Sequence, residues 1–268
     1  MVVGQKQLPN IGIGSFLLHG KSAYDNVLHG LEIGLRFIDT ATIYGNEEEV
    51  GKAILDSKIK RDNIILSTKL HGPKKGYQNA IDECKESLRK LNTEYIDIYL
   101  IHWMPRKYEE LLDTWRGLEE LYKLGMCKAI GVCNVSLYYL DKLINDAEIK
   151  PMITQFECHP YLQQDIVIDY CNKNRIIPIG YGLFAKGMVF KDEKLIELAK
   201  ENKTTVANLV LSWGIKHGIV PLFKSETKDR INANYRNNFE MNENLYAKIK
   251  ELNDGIRVYR DPENNPYV

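Results

Sequence analysis

The sequence predicts a single (β/α)8 (TIM) barrel of the α/β class, on three observations. Eight short, β-branched runs alternate with longer amphipathic stretches, as in a parallel sheet with crossover helices. The chain has 268 residues, and α/β barrels run to roughly 250 residues in one piece. Three of the runs end at an aspartate, a lysine and a histidine, and barrel active sites are built at the carboxyl ends of the strands.

The first candidate strand, 11–16, carries Gly12-Ile13-Gly14. A dinucleotide fingerprint would need a further glycine where Leu17 stands, so these glycines are expected instead to let the strand end approach a ligand. The second, 37–39, ends at Asp39, and Tyr44 follows five residues later in a turn. The third, 64–69, stops at Lys69, and the fourth, 96–102, stops at His102. Strands at 129–133, 153–157, 177–181 and 219–223 complete the eight that close the barrel. Between them, 80–91 places Ile81, Cys84, Leu88 and Leu91 on one helical face, and 109–124 places Leu112, Trp115, Leu118, Leu121 and Tyr122 in a stripe. No linker or charge block divides the chain, so 1–268 is read as one domain, with an irregular tail from Arg260 expected over one end of the barrel.

Lys+Arg and Asp+Glu both number 36. This neutral balance argues against nucleic acid or an anionic membrane as the main partner and leaves room for a local basic pocket. The five cysteines form no Cys-x-x-Cys pair, which argues against a disulfide framework or a structural zinc site and for a reducing compartment. No signal peptide or membrane span is apparent, and a cytoplasmic protein is expected. A monomer is the expected state, with a dimer as the alternative.

One Asp, Tyr, Lys or His at a strand end is ordinarily a hydrogen-bonded structural residue. Asp39, Tyr44, Lys69 and His102, delivered by consecutive strands to one barrel face, form a proton-donating set. An unperturbed tyrosine, near pKa ~10, is a weak acid at neutral pH. A neighbouring lysine is expected to lower that value, an aspartate to hold the lysine charged, and a histidine to donate a hydrogen bond to a substrate oxygen.

These blocks resemble the motifs of the aldo-keto reductase superfamily: Asp39-Thr40-Ala41-x-x-Tyr44-Gly45-Asn46-Glu47, Ser67-Thr68-Lys69-Leu70 and Leu100-Ile101-His102-Trp103. So do Gly131-Val132-x-Asn134, Gln155-x-Glu157-Cys158-His159-Pro160-Tyr161 and Lys224-Ser225 with Arg230 and Asn234, in family order along nearly the whole chain. The resemblance implies NADPH-dependent reduction of an aldehyde or ketone, with Tyr44 as general acid, Lys69 and Asp39 as its tuning pair and His102 orienting the carbonyl. It implies that Asn134 and Gln155 hold the nicotinamide carboxamide, that Tyr181 stacks on the nicotinamide, and that Lys224, Ser225, Arg230 and Asn234 take the adenosine phosphate end. Phe16, Ile43 and Trp103 are expected to wall an open, unselective substrate pocket, and no metal is called for. Cys133, Gly182-Leu183-Phe184, Ala233 and Met104 depart from the family pattern, away from the acid–base set. They keep open the alternative of a slow-turnover NADPH-binding regulatory or sensor protein.

Overall fold

The computed structural model describes residues 1–72 and 74–263. Eight parallel strands close into a barrel: β1 (Gly12–Gly14), β2 (Phe37–Asp39), β3 (Ile65–Leu70), β4 (Ile96–Ile101), β5 (Cys127–Cys133), β6 (Ile153–Glu157), β7 (Ile177–Tyr181) and β8 (Val220–Phe223). β8 closes the ring by pairing with both β7 and β1. Among the described residues ten α-helices surround it: α1 (Lys21–Ile33), α2 (Glu47–Asp56), α3 (Tyr77–Leu91), α4 (Tyr108–Lys123), α5 (Leu137–Asp146), α6 (Asp165–Asn174), α7 (Glu193–Glu201), α8 (Val206–Lys216), α9 (Lys228–Tyr235) and α10 (Glu243–Lys250). All eight predicted strands are present, with ends shifted by a residue or two in most. Among the described residues no helix is long and apolar enough to cross a membrane.

Strand alternation divides the core in two. Phe37, Ile65, Ile98, Leu100, Ala129, Ile153, Ile179 and Leu222 point inward and fill the barrel with Val3 and Leu8. Their chain neighbours Ile38, Leu66, Tyr99, Ile101, Ile130 and Val132 point outward into the layer beneath the helices. Along the inward face the side chains turn polar towards the carboxyl end: Phe37 gives way to Asp39, Ile65 to Ser67 and Lys69, and Ile153 to Gln155. A period of two thus delivers apolar packing at the bottom and polar chemistry at the top.

The helices bury one face each. Ile81, Cys84, Leu88 and Leu91 of α3 are all buried, as the spacing predicts. In α4 the buried stripe begins at Tyr108 and runs through Leu111, Trp115, Leu118 and Leu121. Leu112 and Tyr122, expected in that stripe, lie at its margin, only partly buried.

Two features were not read from the sequence. A hairpin pairs Val2–Val3 with Lys6–Gln7 at the barrel's amino end. There Lys6 Nζ meets the fully buried Asp97 at 2.7 Å, and Arg61 meets its other oxygen at 2.7 Å. The first strand also stops earlier than expected, because the chain turns away at Leu17, which has a φ of 61°. Gly12 is packed within the barrel: a Cβ there would meet Phe37 at 2.5 Å and Leu222 at 2.6 Å. That glycine is required by packing inside the barrel. Gly14, two residues on, does line the cavity described next.

Candidate active site

The parallel register sets Asp39 opposite Ser67, so Lys69, two residues on and on the same inward face, comes within reach of the carboxylate. Lys69 Nζ lies 2.6 Å from Asp39 Oδ2 and donates to the Thr40 carbonyl at 2.8 Å. The lysine is fully buried and Asp39 nearly so. Taking both charges out of water costs several kcal/mol per ion, and the pair is held because each charge also finds hydrogen bonds. Asp39 Oδ1 accepts from Gln155 Nε2 at 3.1 Å.

Tyr44 closes a short 3-10 turn, Thr42–Tyr44, after β2. Thr42 Oγ1 donates to the Lys69 carbonyl at 2.9 Å. The buried Asn46 fastens the other side of the turn. Its Nδ2 donates to the carbonyls of Ser15 and Leu18 at 2.9 and 2.8 Å, and its Oδ1 accepts from Thr40 Oγ1 at 2.8 Å. Its amide is thereby committed to positioning. Asn46 stood within a quoted motif without a role, because its partners lie in the β1 loop, which periodicity does not place.

The Tyr44 ring lies 5.6 Å from the His102 ring, edge to face, and 5.3 Å from Lys69 Nζ. The four acid–base candidates are therefore brought together. The electrostatics differ from the expectation in one respect. Burial, followed by the Asp39 charge, pushes the Tyr44 hydroxyl well above the ordinary tyrosine value. The charge of Lys69, compensated by Asp39 at 2.6 Å, does not reverse that rise. Tyr44 therefore holds its proton firmly before substrate arrives. His102 is driven the other way: burial, then the Lys69 and His71 charges, holds it well below the ordinary imidazole value, so it is neutral. Its Nδ1 is buried without a hydrogen-bond partner among the described residues.

Asn134, Gln155 and Tyr181 stand beside this set and bond to one another's surroundings. Tyr181 Oη donates to Asn134 Oδ1 at 2.6 Å, and Asn134 Nδ2 donates to the His102 carbonyl at 3.0 Å. The Cys133 thiol donates to Gln155 Oε1 at 3.5 Å and accepts from Asn134 Nδ2 at 3.1 Å. Cys133 makes no hydrogen bond to the acid–base set itself and is joined to Asp39 through Gln155.

A cavity of about 480 Å³ opens over these residues. Phe16, Ile43, Tyr44, Trp103, Asn134, Gln155, Tyr181 and Lys224 line it with Asp39 and His102. Phe16 and Ile43 are half exposed at its mouth. Ser225, Arg230 and Asn234 are outside this lining, on the turn and helix that follow β8. There Thr227 caps α9 by accepting from the Arg230 amide at 3.4 Å, and Lys224 pairs with Glu226 at 2.5 Å.

The C-terminal segment contributes more than the sequence reading gave it. Buried Glu157, at the end of β6, accepts from the amides of Val258 and Tyr259 at 2.7 and 3.3 Å. This grip brings Tyr259 against Tyr181, ring centroids 5.4 Å apart, and sets Tyr259 and Arg260 in the cavity wall. Gly182 (φ 74°) makes room: a Cβ there would meet Tyr259 at 2.7 Å. The rest of the expected tail, 264–268, lies outside the described residues.

Comparison with known proteins agrees with this architecture. The model of the Aldo/keto reductase family matches residues 10–254. Glyoxal reductase of Bacillus subtilis (strain 168) is 38% identical over 260 residues, covering 96% of this chain and 93% of that protein. The crystal structure of MGS-M4, an aldo-keto reductase from a Medee basin deep-sea metagenome library, superposes with a TM-score of 0.94 at 38% identity, over 97% of each chain. An aldo-keto reductase of Bombyx mori in complex with NADP superposes with a TM-score of 0.88 at 27% identity, over 96% of this chain and 92% of that one. Sequence and fold agree over nearly the full length, and the chain belongs to the aldo/keto reductase family of oxidoreductases.

Proposed function

We propose that this protein reduces aldehydes or ketones to alcohols with NADPH, using Tyr44 as the proton donor. The observation that carries the reading is the convergence of a protonated Tyr44, a neutral His102 and the Lys69–Asp39 pair on the floor of one cavity.

The residues fit a phosphorylated dinucleotide. Tyr181, Leu183 and Phe184 offer an aromatic and apolar wall for a planar ring, and Lys186 and Lys224 line the same cavity with positive charge. The NADP complex of the Bombyx mori relative supports the same choice of coenzyme. Bound NADPH supplies the hydride for the carbonyl carbon. Asn134 and Gln155 are assigned to its carboxamide and Tyr181 to the face of its ring. Lys224, Ser225, Arg230 and Asn234 are assigned to the adenosine phosphate end, where a lysine and an arginine provide charge-assisted bonds.

The chain's own chemistry is proton delivery. Tyr44 gives its proton to the carbonyl oxygen as negative charge grows there. His102, held neutral, donates a hydrogen bond to the same oxygen and fixes the carbonyl in place. Lys69 remains charged against Asp39 and stabilises the tyrosinate that remains. Phe16, Ile43 and Trp103 provide apolar walls that suit small or aromatic carbonyl compounds, and glyoxal, named for the Bacillus subtilis relative, belongs to the first group.

The test is NADPH consumption with glyoxal and benzaldehyde, by wild type and Tyr44→Phe. Turnover should fall at least ~100-fold in the variant, the low end for a general acid, with NADPH binding nearly intact. Turnover within a few-fold of wild type would remove Tyr44 as the donor. NADPH binding by wild type without turnover of any carbonyl would favour the slow, regulatory alternative.

A further inference from the structure

We propose that Glu47 is a positioning residue: through Thr68 it fixes the end of β3 against the Tyr44 turn and so sets Lys69 and Tyr44 relative to each other. This rests on the reductase reading above and adds to it a residue outside the cavity lining.

The ladder between β2 and β3 ends where the acid–base set begins. Asp39 pairs with Ser67, and the Thr40 amide donates to the Ser67 carbonyl at 2.9 Å. β2 stops at Asp39, whereas β3 runs on through Thr68, Lys69 and Leu70, paired on its other side with Tyr99, Leu100 and Ile101 of β4. On the β2 side, side chains take over from the backbone. Thr42 Oγ1, before Tyr44 in the chain, donates to the Lys69 carbonyl at 2.9 Å. Glu47 Oε1, after Tyr44, accepts from Thr68 Oγ1 at 2.7 Å. The two bonds straddle Tyr44 in sequence and meet β3 at adjacent residues. One of these is the lysine whose Nζ lies 5.3 Å from the Tyr44 ring centroid. Strand alternation turns Thr68 to the face opposite Lys69, so Glu47 holds the strand from behind.

Local structure does not call for a buried glutamate at this position. α2 begins at Glu47 with Glu48 and Glu49 next to it in the first turn. The preference for negative charge at a helix N-terminus is therefore met without burying a carboxyl. Yet Glu47 is 2% exposed, and its Oε2 is buried without a hydrogen-bond partner among the described residues. Burial raises the carboxyl above the ordinary carboxylate range, against the pull of the Thr68 and Ser87 hydroxyls. A buried carboxyl with one oxygen left over costs stability. Breaches of this kind collect at functional sites, and the contact that this one makes is the bond to Thr68.

The test compares Glu47→Met, Thr68→Val and Glu47→Gln with wild type in NADPH-dependent reduction of glyoxal and benzaldehyde. A misplacement of about 1 Å can cost ~100-fold, so kcat should fall ~10-fold or more in Glu47→Met and in Thr68→Val. KM and the NADPH dissociation constant should stay within ~3-fold, because the cavity lining is unchanged. Glu47→Gln keeps an oxygen for the Thr68 hydroxyl and should hold kcat within ~3-fold of wild type. The pair acts as one unit, so Glu47→Met/Thr68→Val should be no slower than the slower single variant. Leu118→Ala, a cavity in the buried face of α4 away from the site, should lose stability but not kcat while folded by circular dichroism. Near-native kcat in Glu47→Met overturns the proposal, as does a loss in Glu47→Gln equal to that in Glu47→Met, which would assign the effect to charge. Losses that multiply in the double variant overturn it too, and so does a fall in kcat for Leu118→Ala matching that of Glu47→Met. If Glu47→Met does not fold, Thr68→Val carries the same test, and near-native kcat there overturns the proposal. Failure of wild type to reduce either aldehyde would instead sink the reductase reading itself, and the positioning role with it.

Discussion

Removing Lys69 tests the physical core of the site. In Lys69→Met the side chain keeps its length and burial but loses the charge that faces Asp39 at 2.6 Å. At an effective dielectric of about 20, that separation corresponds to about 6 kcal/mol of attraction. Part of it is returned, because the methionine no longer has to be desolvated as an ammonium. What remains is a nearly buried carboxylate whose other oxygen keeps one donor, Gln155 Nε2 at 3.1 Å. The expected loss of stability is about 3–5 kcal/mol, as for buried pairs broken on one side. Asp39→Asn should cost a similar amount, by stranding the ammonium with the Thr40 carbonyl. The double variant buries no charge and should cost no more than either single variant, giving a coupling energy of at least about 3 kcal/mol, the upper end for residues in contact. Chemical denaturation of the four proteins measures this cycle, and NADPH-dependent turnover of the same four should stay low in all three variants. Strictly additive stabilities, or a single variant costing under about 1 kcal/mol, would refute the argument that the pair holds because each charge needs the other.

The remaining predictions concern protonation and coenzyme choice. With Tyr44 raised well above pH 10 and His102 held well below 6.5, the active form of both spans the range between. Tyr44 loses its proton only as pH rises through its raised value, and His102 gains one only as pH falls through its lowered value. kcat/KM for a neutral aldehyde at saturating NADPH should therefore be flat across neutral pH, and a break near ~6.5 or below ~10 would contradict the assigned electrostatics. Arg230→Ala should weaken NADPH binding by about 1.5–3 kcal/mol and leave NADH nearly unaffected. Fluorescence titration with both coenzymes checks this, and equal losses would make Arg230 structural.

The acid–base set was legible because it obeys strand periodicity. Asp39 and Lys69 each continue an inward-facing row that starts at an apolar residue, and sequence order sets them on adjacent strands. The sign of the effect on Tyr44 was not legible. It depends on how far burial outweighs a lysine whose charge is already matched, and no motif records that balance. The terminal segments were hidden for a related reason. The hairpin at Val2–Val3 and Lys6–Gln7 is two residues per strand, too short to show alternation. The placement of Tyr259 and Arg260 is encoded in Glu157, a hundred residues upstream, through bonds to backbone amides that are indifferent to side-chain identity. Such a contact leaves a mark in only one partner's sequence, a buried glutamate within a strand, which by itself does not say what it holds.

That asymmetry bears on how the barrel divides stability from function. The lower interior, from Phe37 to Leu222, is apolar and satisfied by packing alone. The upper interior carries buried polar atoms without a hydrogen-bond partner among the described residues, including Ser67 Oγ, His102 Nδ1 and His159 Nδ1. Each such atom costs about 1–3 kcal/mol, a loss that a packed lower core is placed to offset. Polar groups at the mouth are then anchored by other buried polar groups: Asp39 by Lys69, Asn46 by the β1 loop, the C-terminal segment by Glu157. The apolar rows specify that a barrel forms. The anchors specify where its mouth holds Tyr44 and Arg260, so substitutions at the anchors should alter chemistry and selectivity before they unfold the barrel.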